Sequence, residues 1–293
     1  MTSEPLTLHA VVRLVSERLQ AAGTETAAAE ARRLVCEALA IDPVALIRDP
    51  QTQLDQAQID NVFHWLQRRE QGEPLARIRG WQEFYGRRFQ LSDATLEPRA
   101  DTETLINAAL AIADASHGRD YPWRILDVGT GTGCIAITLL AELQHAVVTA
   151  TDISAHAIHT ALLNAQEHRV EERLAGQVTN LAEGLTLDYD LIVSNPPYIK
   201  TSDIAGLQTE VKGFDPTDAL DGGGSGLVYY EELGRQLSKA GWTGHLIVEI
   251  AVDDHERVIA GFEQVGLKFI RGAVQLWRDL TGRVRCVAIE TLC

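Results

Sequence analysis

The chain has 293 residues, of which 45% are hydrophobic, and a formal net charge of −15, so it is long and apolar enough for two domains with real cores. No apolar run approaches the roughly 18 residues of a membrane span, and the start, with Glu4 and an early helical pattern, lacks the basic stretch and apolar core of a signal peptide, so a cytoplasmic enzyme is expected. The charge is uneven: residues 1–90 carry 12 acidic and 11 basic side chains, and residues 91–293 carry 29 acidic and 15 basic, a surface that repels phosphate backbones and counts against duplex nucleic acid as substrate.

Over residues 6–71 the apolar side chains recur at helical spacing, as in Leu8, Val11, Val12, Val15 and Leu19 and again in Leu34, Val35, Ala38 and Leu39, with breaks at Gly23 and Asp42-Pro43. This predicts a small helical bundle. Gly72-Glu73-Pro74 punctuates the chain, and residues 75–91, rich in Trp81, Phe84, Tyr85 and Phe89, predict a short hairpin connector. A helical pattern over residues 102–115 follows. Apolar runs then begin near Ile125, Val147, Leu191, Leu246 and Val284, with helical patterns between most of them, which predicts a mostly parallel sheet flanked by helices. The expected domains are residues 1–73, a linker 74–92 and a catalytic block 93–293.

Cys36, Cys134, Cys286 and Cys293 show no paired C-x-x-C spacing, so reduced packing thiols are expected rather than disulfides or a zinc site. His156 and His159 are three apart in a helical run, but no carboxylate or cysteine cluster completes a site; a solvated helix face is expected, and no metal.

Two motifs carry chemistry. In Ile125-Leu126-Asp127-Val128-Gly129-Thr130-Gly131-Thr132-Gly133 an apolar strand runs into a turn whose alternating glycines let backbone approach a ligand closely. The next strand-like run ends in Asp152, where a carboxylate can accept hydrogen bonds from a ribose diol. A dinucleotide site requires G-x-G-x-x-G, whereas Cys134 stands at the rival's last glycine. The second motif, Asn195-Pro196-Pro197-Tyr198, follows Leu191-Ile192-Val193-Ser194. Two prolines fix φ and remove two donors, so the Asn195 side chain and neighbouring carbonyls form a stiff acceptor loop suited to gripping an NH2 group.

With these motifs the chain resembles the HemK/PrmC family of S-adenosylmethionine-dependent methyltransferases. Glu83-Phe84-Tyr85-Gly86, Leu96-Glu97-Pro98-Arg99-Ala100-Asp101-Thr102-Glu103, Ala219-Leu220-Asp221-Gly222-Gly223 with Gly226-Leu227, and Asp279-Leu280-Thr281-Gly282-Arg283-Val284-Arg285 match further family landmarks in order. The resemblance covers nearly the whole chain. It implies a class I, Rossmann-like methyltransferase domain behind a small N-terminal helical bundle that docks the substrate. It also implies methylation of the side-chain amide (N5) of the glutamine in the Gly-Gly-Gln motif of peptide chain release factors, with S-adenosylhomocysteine as product.

By residue, the resemblance implies that Gly129, Thr130, Gly131, Thr132 and Gly133 lie against the methionine end and ribose, and that Asp152 holds the ribose hydroxyls. Asn180 and Leu181 contact adenine, with Asn180 where the family usually has an acid. Asn195, Pro196, Pro197 and Tyr198 bind the substrate amide, Asn195 and Pro196 as acceptors and Tyr198 as a wall. Arg99 and Thr102 are expected near the cofactor. Ala251 and Asp254 depart from the family's glycine and glutamine after Glu249, to which no catalytic role is given. The alternatives are a ribosomal-protein glutamine, an adenine amino group in nucleic acid, and a binding module without catalysis. A monomer is the simplest expectation.

Overall fold

The computed structural model describes residues 6–292, so Glu4 and Cys293 lie outside the described residues. The backbone forms two compact units, Met1–Gly80 with the detached segment Thr209–Phe214, and Trp81–Gln208 with Asp215–Cys293.

In the first unit the helical spacing becomes α1 (Leu8–Ala21), α2 (Ala27–Leu39), α3 (Ala45–Arg48), α4 (Gln56–Glu70) and α5 (Leu75–Arg79). Val11, Val15 and Leu19 of α1 meet Leu34 and Val35 of α2 and Val62 and Leu66 of α4 in one core, the apolar stripes facing each other. A capping box between Asp55 and Gln58 starts α4, satisfying amides that a helix start leaves without partners. Thr209–Phe214 is held in this unit by Arg69 of α4, which pairs with both Glu30 of α2 and Glu210. The hairpin expected over residues 75–91 is shorter than predicted, since α5 takes its first five residues and only β1 (Trp81–Phe84) and β2 (Arg87–Gln90) pair. Pro74 immediately before α5 pre-sets the entry, and Leu75, Ala76 and Ile78 are buried at helical spacing.

In the second unit, the chain runs through α6 (Glu103–Ala115), β3 (Arg124–Val128), α7 (Cys134–Glu142), β4 (Val147–Asp152), α8 (Ala155–Glu167), β5 (Leu174–Val178) and β6 (Leu191–Ser194). After α9 (Thr201–Ile204) and α10, the Thr209–Phe214 segment already placed, come α11 (Val228–Ala240), β7 (His245–Glu249), α12 (His255–Gln264), β8 (Gln275–Arg278) and β9 (Val284–Glu290). The sheet order is β5-β4-β3-β6-β7-β9-β8. It is parallel except where β9 pairs antiparallel with β7 and β8.

Side chains alternate across the sheet, so Ile125 of β3 enters one apolar cluster with Leu105, Ile135 and Leu139, and Leu126 enters the other with Leu233, Leu246 and Phe262. From β3 the chain steps outward through β4 and β5, then returns to β6 on the other side of β3. That reversal is a topological switch point, where open α/β sheets bind ligands beyond the carboxyl ends of their strands. No helix among the described residues is long and apolar enough to cross a membrane.

Candidate active site

The glycine turn leaves β3 and is fixed by hydrogen bonds to the end of β4: the amides of Gly129 and Thr130 donate to the Thr151 carbonyl at 2.9 Å each. The amide of Gly131 donates to Asp152 Oδ2 at 3.0 Å, while Asp152 Oδ1 accepts from Ser154 N at 2.9 Å. Asp152 is thereby oriented, and each oxygen keeps accepting capacity for a ligand. Burial raises its pKa, against the amide hydrogen bonds from Ser154, Gly131 and Ile153.

Gly129 and Gly131 have φ of 74° and 55°, with open space where a Cβ would stand. Gly133 differs: its φ is 79°, and a Cβ would meet Ala161 Cβ and Ile137 Cδ1 at 3.0 Å. Its smallness lets α7 pack against α8, and it is not on the cavity wall.

Asn195-Pro196-Pro197-Tyr198 leaves β6, the sheet neighbour of β3. Ser194 Oγ donates to the Val128 carbonyl at 2.8 Å, tying the start of one turn to the start of the other. A loop from later in the chain supports this turn from behind. Gly222 N donates to Ile199 O at 2.7 Å and Ile199 N to Leu220 O at 3.1 Å. Approach there is so close that a Cβ on Gly222 would lie 2.8 Å from Pro197 O and from Tyr198 Cα.

Between the two turns lies a cavity of about 260 Å³. Its wall includes Gly129, Thr130, Gly131, Thr132, Asp152, Asn180, Leu181, Asn195, Pro196 and Pro197, so most of the expected site converges on one place. Arg99 and Thr102 also line it, and Arg99 is anchored to Asp215 at 2.6 Å. Tyr198 is off the wall, packed against the apolar cluster around Leu246. Burial, with Glu249 nearby, raises its phenol pKa and keeps it neutral.

Some residues at the site carry structural roles that the sequence did not disclose. Buried Asn164 of α8 donates from Nδ2 to the Thr132 and Gln90 carbonyls at 2.8 and 3.1 Å and accepts from Gln90 N at 2.8 Å. Asp127 accepts from Thr130 Oγ1 at 2.7 Å and Ala136 N at 3.2 Å through Oδ2, while Oδ1 is buried without a partner. Burial pushes its pKa up to about 7. Glu249, at the end of β7, is 2% exposed. Isolated acids and amides among apolar residues give no local signal for such roles.

Cys36, Cys134 and Cys286 are free and buried, and Cys134 beside the cavity is pushed up to about 12 by burial, an inert thiol. His156 and His159 are exposed on α8, and no group of three metal-ligating side chains occurs among the described residues.

Fold and site together define a Rossmann-like methyltransferase: a mostly parallel sheet, a glycine turn and strand-end acid at the switch point, and a proline-stiffened turn after the neighbouring strand. The hMettl16 catalytic domain solved with the MAT2A 3'UTR hairpin 6 shares this fold, with a TM-score of 0.53 at 15% identity over 80% of this chain and 82% of that one. The PrmC N-terminal domain model matches residues 10–80 and the methyltransferase small domain model residues 115–214.

Over 90% of its length the chain is 37% identical to the release factor glutamine methyltransferase of Agrobacterium fabrum, covering 92% of that protein. It is 40% identical to the Bradyrhizobium diazoefficiens protein of the same name over 84% of each. The chain belongs to the release factor glutamine methyltransferase family.

Proposed function

We propose that this chain transfers a methyl group from S-adenosylmethionine to the side-chain amide nitrogen of the glutamine in the Gly-Gly-Gln motif of peptide chain release factors. The observation that carries this reading is the stiff Asn195-Pro196-Pro197 turn facing the glycine turn across one cavity, in a member of this family. The residues fit the cofactor, since Gly129 and Gly131 leave open space where side chains would stand and Asp152 is oriented with spare acceptor capacity.

S-adenosylmethionine supplies a methyl group activated on a sulfonium. In this reading Gly129 to Thr132 flank its methionine end and ribose, Asp152 accepts from the ribose hydroxyls, and Asn180 and Leu181 flank the adenine. The substrate amide nitrogen is a poor nucleophile because its lone pair is delocalised into its carbonyl. Asn195 Oδ1 and the Pro196 carbonyl accept its two N–H groups, turn the lone pair to the methyl and stabilise the positive charge that develops on N–H. No general base acts first, because the nitrogen becomes acidic only as it is methylated; its proton then passes to water. Tyr198 braces the turn from the core side. The N-terminal helical unit docks the substrate protein, and the chain works as a monomer in the cytoplasm.

The test is incubation with labelled S-adenosylmethionine and, separately, a release factor, ribosomal proteins, or unmethylated DNA and RNA, followed by mass mapping. One methyl on the Gly-Gly-Gln glutamine is the expected result. Label confined to nucleic acid or to a ribosomal protein overturns it.

A further inference from the structure

Asn195 is useful as an acceptor only if its amide is turned the right way, and what turns it lies outside its own loop. Ser194 pairs in register with Val248, so the next residues along the two parallel strands, Asn195 and Glu249, stand side by side at the carboxyl end of the sheet. Glu249 is 2% exposed and its Oε2 has no hydrogen-bond partner. Thr102 and Asn195 both hold its pKa down against burial, and Asn195 Nδ2 donates to Thr102 Oγ1 at 3.2 Å. The Glu249 carbonyl is held by the Tyr230 hydroxyl at 2.8 Å, so the carboxyl group has a fixed origin.

A side-chain amide has two N–H donors on nitrogen and an acceptor on oxygen. Here Nδ2 is directed inward, to Thr102, with the unpartnered Glu249 carboxyl at the neighbouring register position, and Oδ1 remains for the cavity that Asn195 lines. We propose that Glu249 is a positioning residue, whose ionised carboxylate fixes the Asn195 amide with Oδ1 towards the substrate. This deepens the proposed function and rests on it for the substrate's identity. An ionised carboxylate only accepts, so it admits one orientation of Asn195. A protonated Glu249, or a glutamine there, also donates. Asn195 can then turn over and oppose its own N–H groups to those of the substrate amide.

The switch between these states falls in an accessible range. Burial pushes Glu249 up to about 7, opposed by Thr102 and the Arg285 charge and assisted by Asp101. The other groups that face it are Arg285 and Cys286 on β9, Tyr198 after β6, Tyr230 on α11, and Cys134 on α7. Asp101 and Asp279 pair with Arg285 at 2.6 and 3.0 Å. The tyrosines and cysteines are raised by burial and stay neutral, the Arg285 pKa is raised, and Asp279 is lowered by its Thr281 and Arg285 hydrogen bonds. Asp127 titrates in the same range, so the effect is assigned by substitution at Glu249.

The chain has five asparagines, so selective 15N-asparagine labelling gives few side-chain amide signals, and the Asn195 pair is the one lost in Asn195→Ala. We expect this pair to titrate with a midpoint of about 7 in the native chain and to lose that titration in Glu249→Gln. An Asn195 signal that does not move with pH, or moves identically in the variant, overturns the proposal. This measurement needs neither cofactor nor substrate; absence of methyl transfer to a release factor would therefore sink the functional reading while leaving the positioning role to be judged on its own.

With a release factor, Glu249→Gln should lower kcat about tenfold with KM nearly unchanged, and should lower it no further in an Asn195→Ala background. An equal loss in both backgrounds overturns the proposal.

Discussion

Asn195 and Asp152 sit at the ends of strands on either side of β3, and because the proposed function gives one the substrate amide and the other the cofactor ribose, their substitutions should separate. Removing one preorganised polar group from a reaction site costs on the order of 10²- to 10³-fold in rate. Asn195→Ala is therefore expected to lower methyl transfer by about that factor while calorimetry shows cofactor affinity nearly intact; unchanged turnover would sink the amide clamp. Asp152→Ala should instead raise the cofactor dissociation constant, both by losing the acceptor and by freeing the amides of Gly131 and Ser154 that the carboxylate now orders. Both residues were legible in the sequence because each follows an apolar strand directly. Glu249 was visible as a strand-end acid, but its place beside Asn195 and Thr102 was not. The three meet through sheet register and a helix start, across 93 residues of chain from Thr102 to Asn195, and no local spacing encodes such a meeting.

At the scale of elements, the placement of the Asn195 turn depends on Gly222, which is not on the cavity wall. The Gly222 loop packs backbone to backbone against Pro197 and Tyr198, and a Cβ there would lie 2.8 Å from Pro197 O. Backbone on both sides cannot yield as a flexible side chain does, so Gly222→Ala should displace the turn. A displacement near 1 Å costs about 10²-fold, so kcat should fall by roughly that factor with the cofactor dissociation constant unchanged. An active Gly222→Ala variant would show that the turn holds its own shape. Sequence reading found β3, β4, β6, β7 and β9 because central strands are apolar runs. It missed β5 and β8 because they lie at the two edges of the sheet, where solvent removes the need for such runs. Leu174-Ala175-Gly176-Gln177-Val178 is exposed at all but its first residue, and only Trp277 of β8 is partly buried.

For the molecule as a whole, cavity and stability draw on the same buried acids. Asp127 and Glu249 are each raised to about 7 by burial, from ordinary values of 3.8 and 4.5. A carboxyl group whose folded pKa lies above its unfolded pKa holds its proton more tightly in the native chain. Its stabilising contribution is complete below the unfolded value and is lost as pH rises through the folded one. For Glu249 the loss falls between about 4.5 and 7, and over the part above pH 5.5 it amounts to roughly 2 kcal/mol, at about 1.4 kcal/mol per pH unit. Glutamine fills the same volume and has no such titration. Urea unfolding followed by circular dichroism should therefore show the native chain losing roughly 2 kcal/mol more than Glu249→Gln between pH 5.5 and 8.5. Equal pH dependence in the two chains would mean that Glu249 is ionised throughout that range. The opposite dependences expected for rate and stability follow from one ionisation: the carboxylate that turns Asn195 towards the substrate is the form that the apolar interior tolerates least.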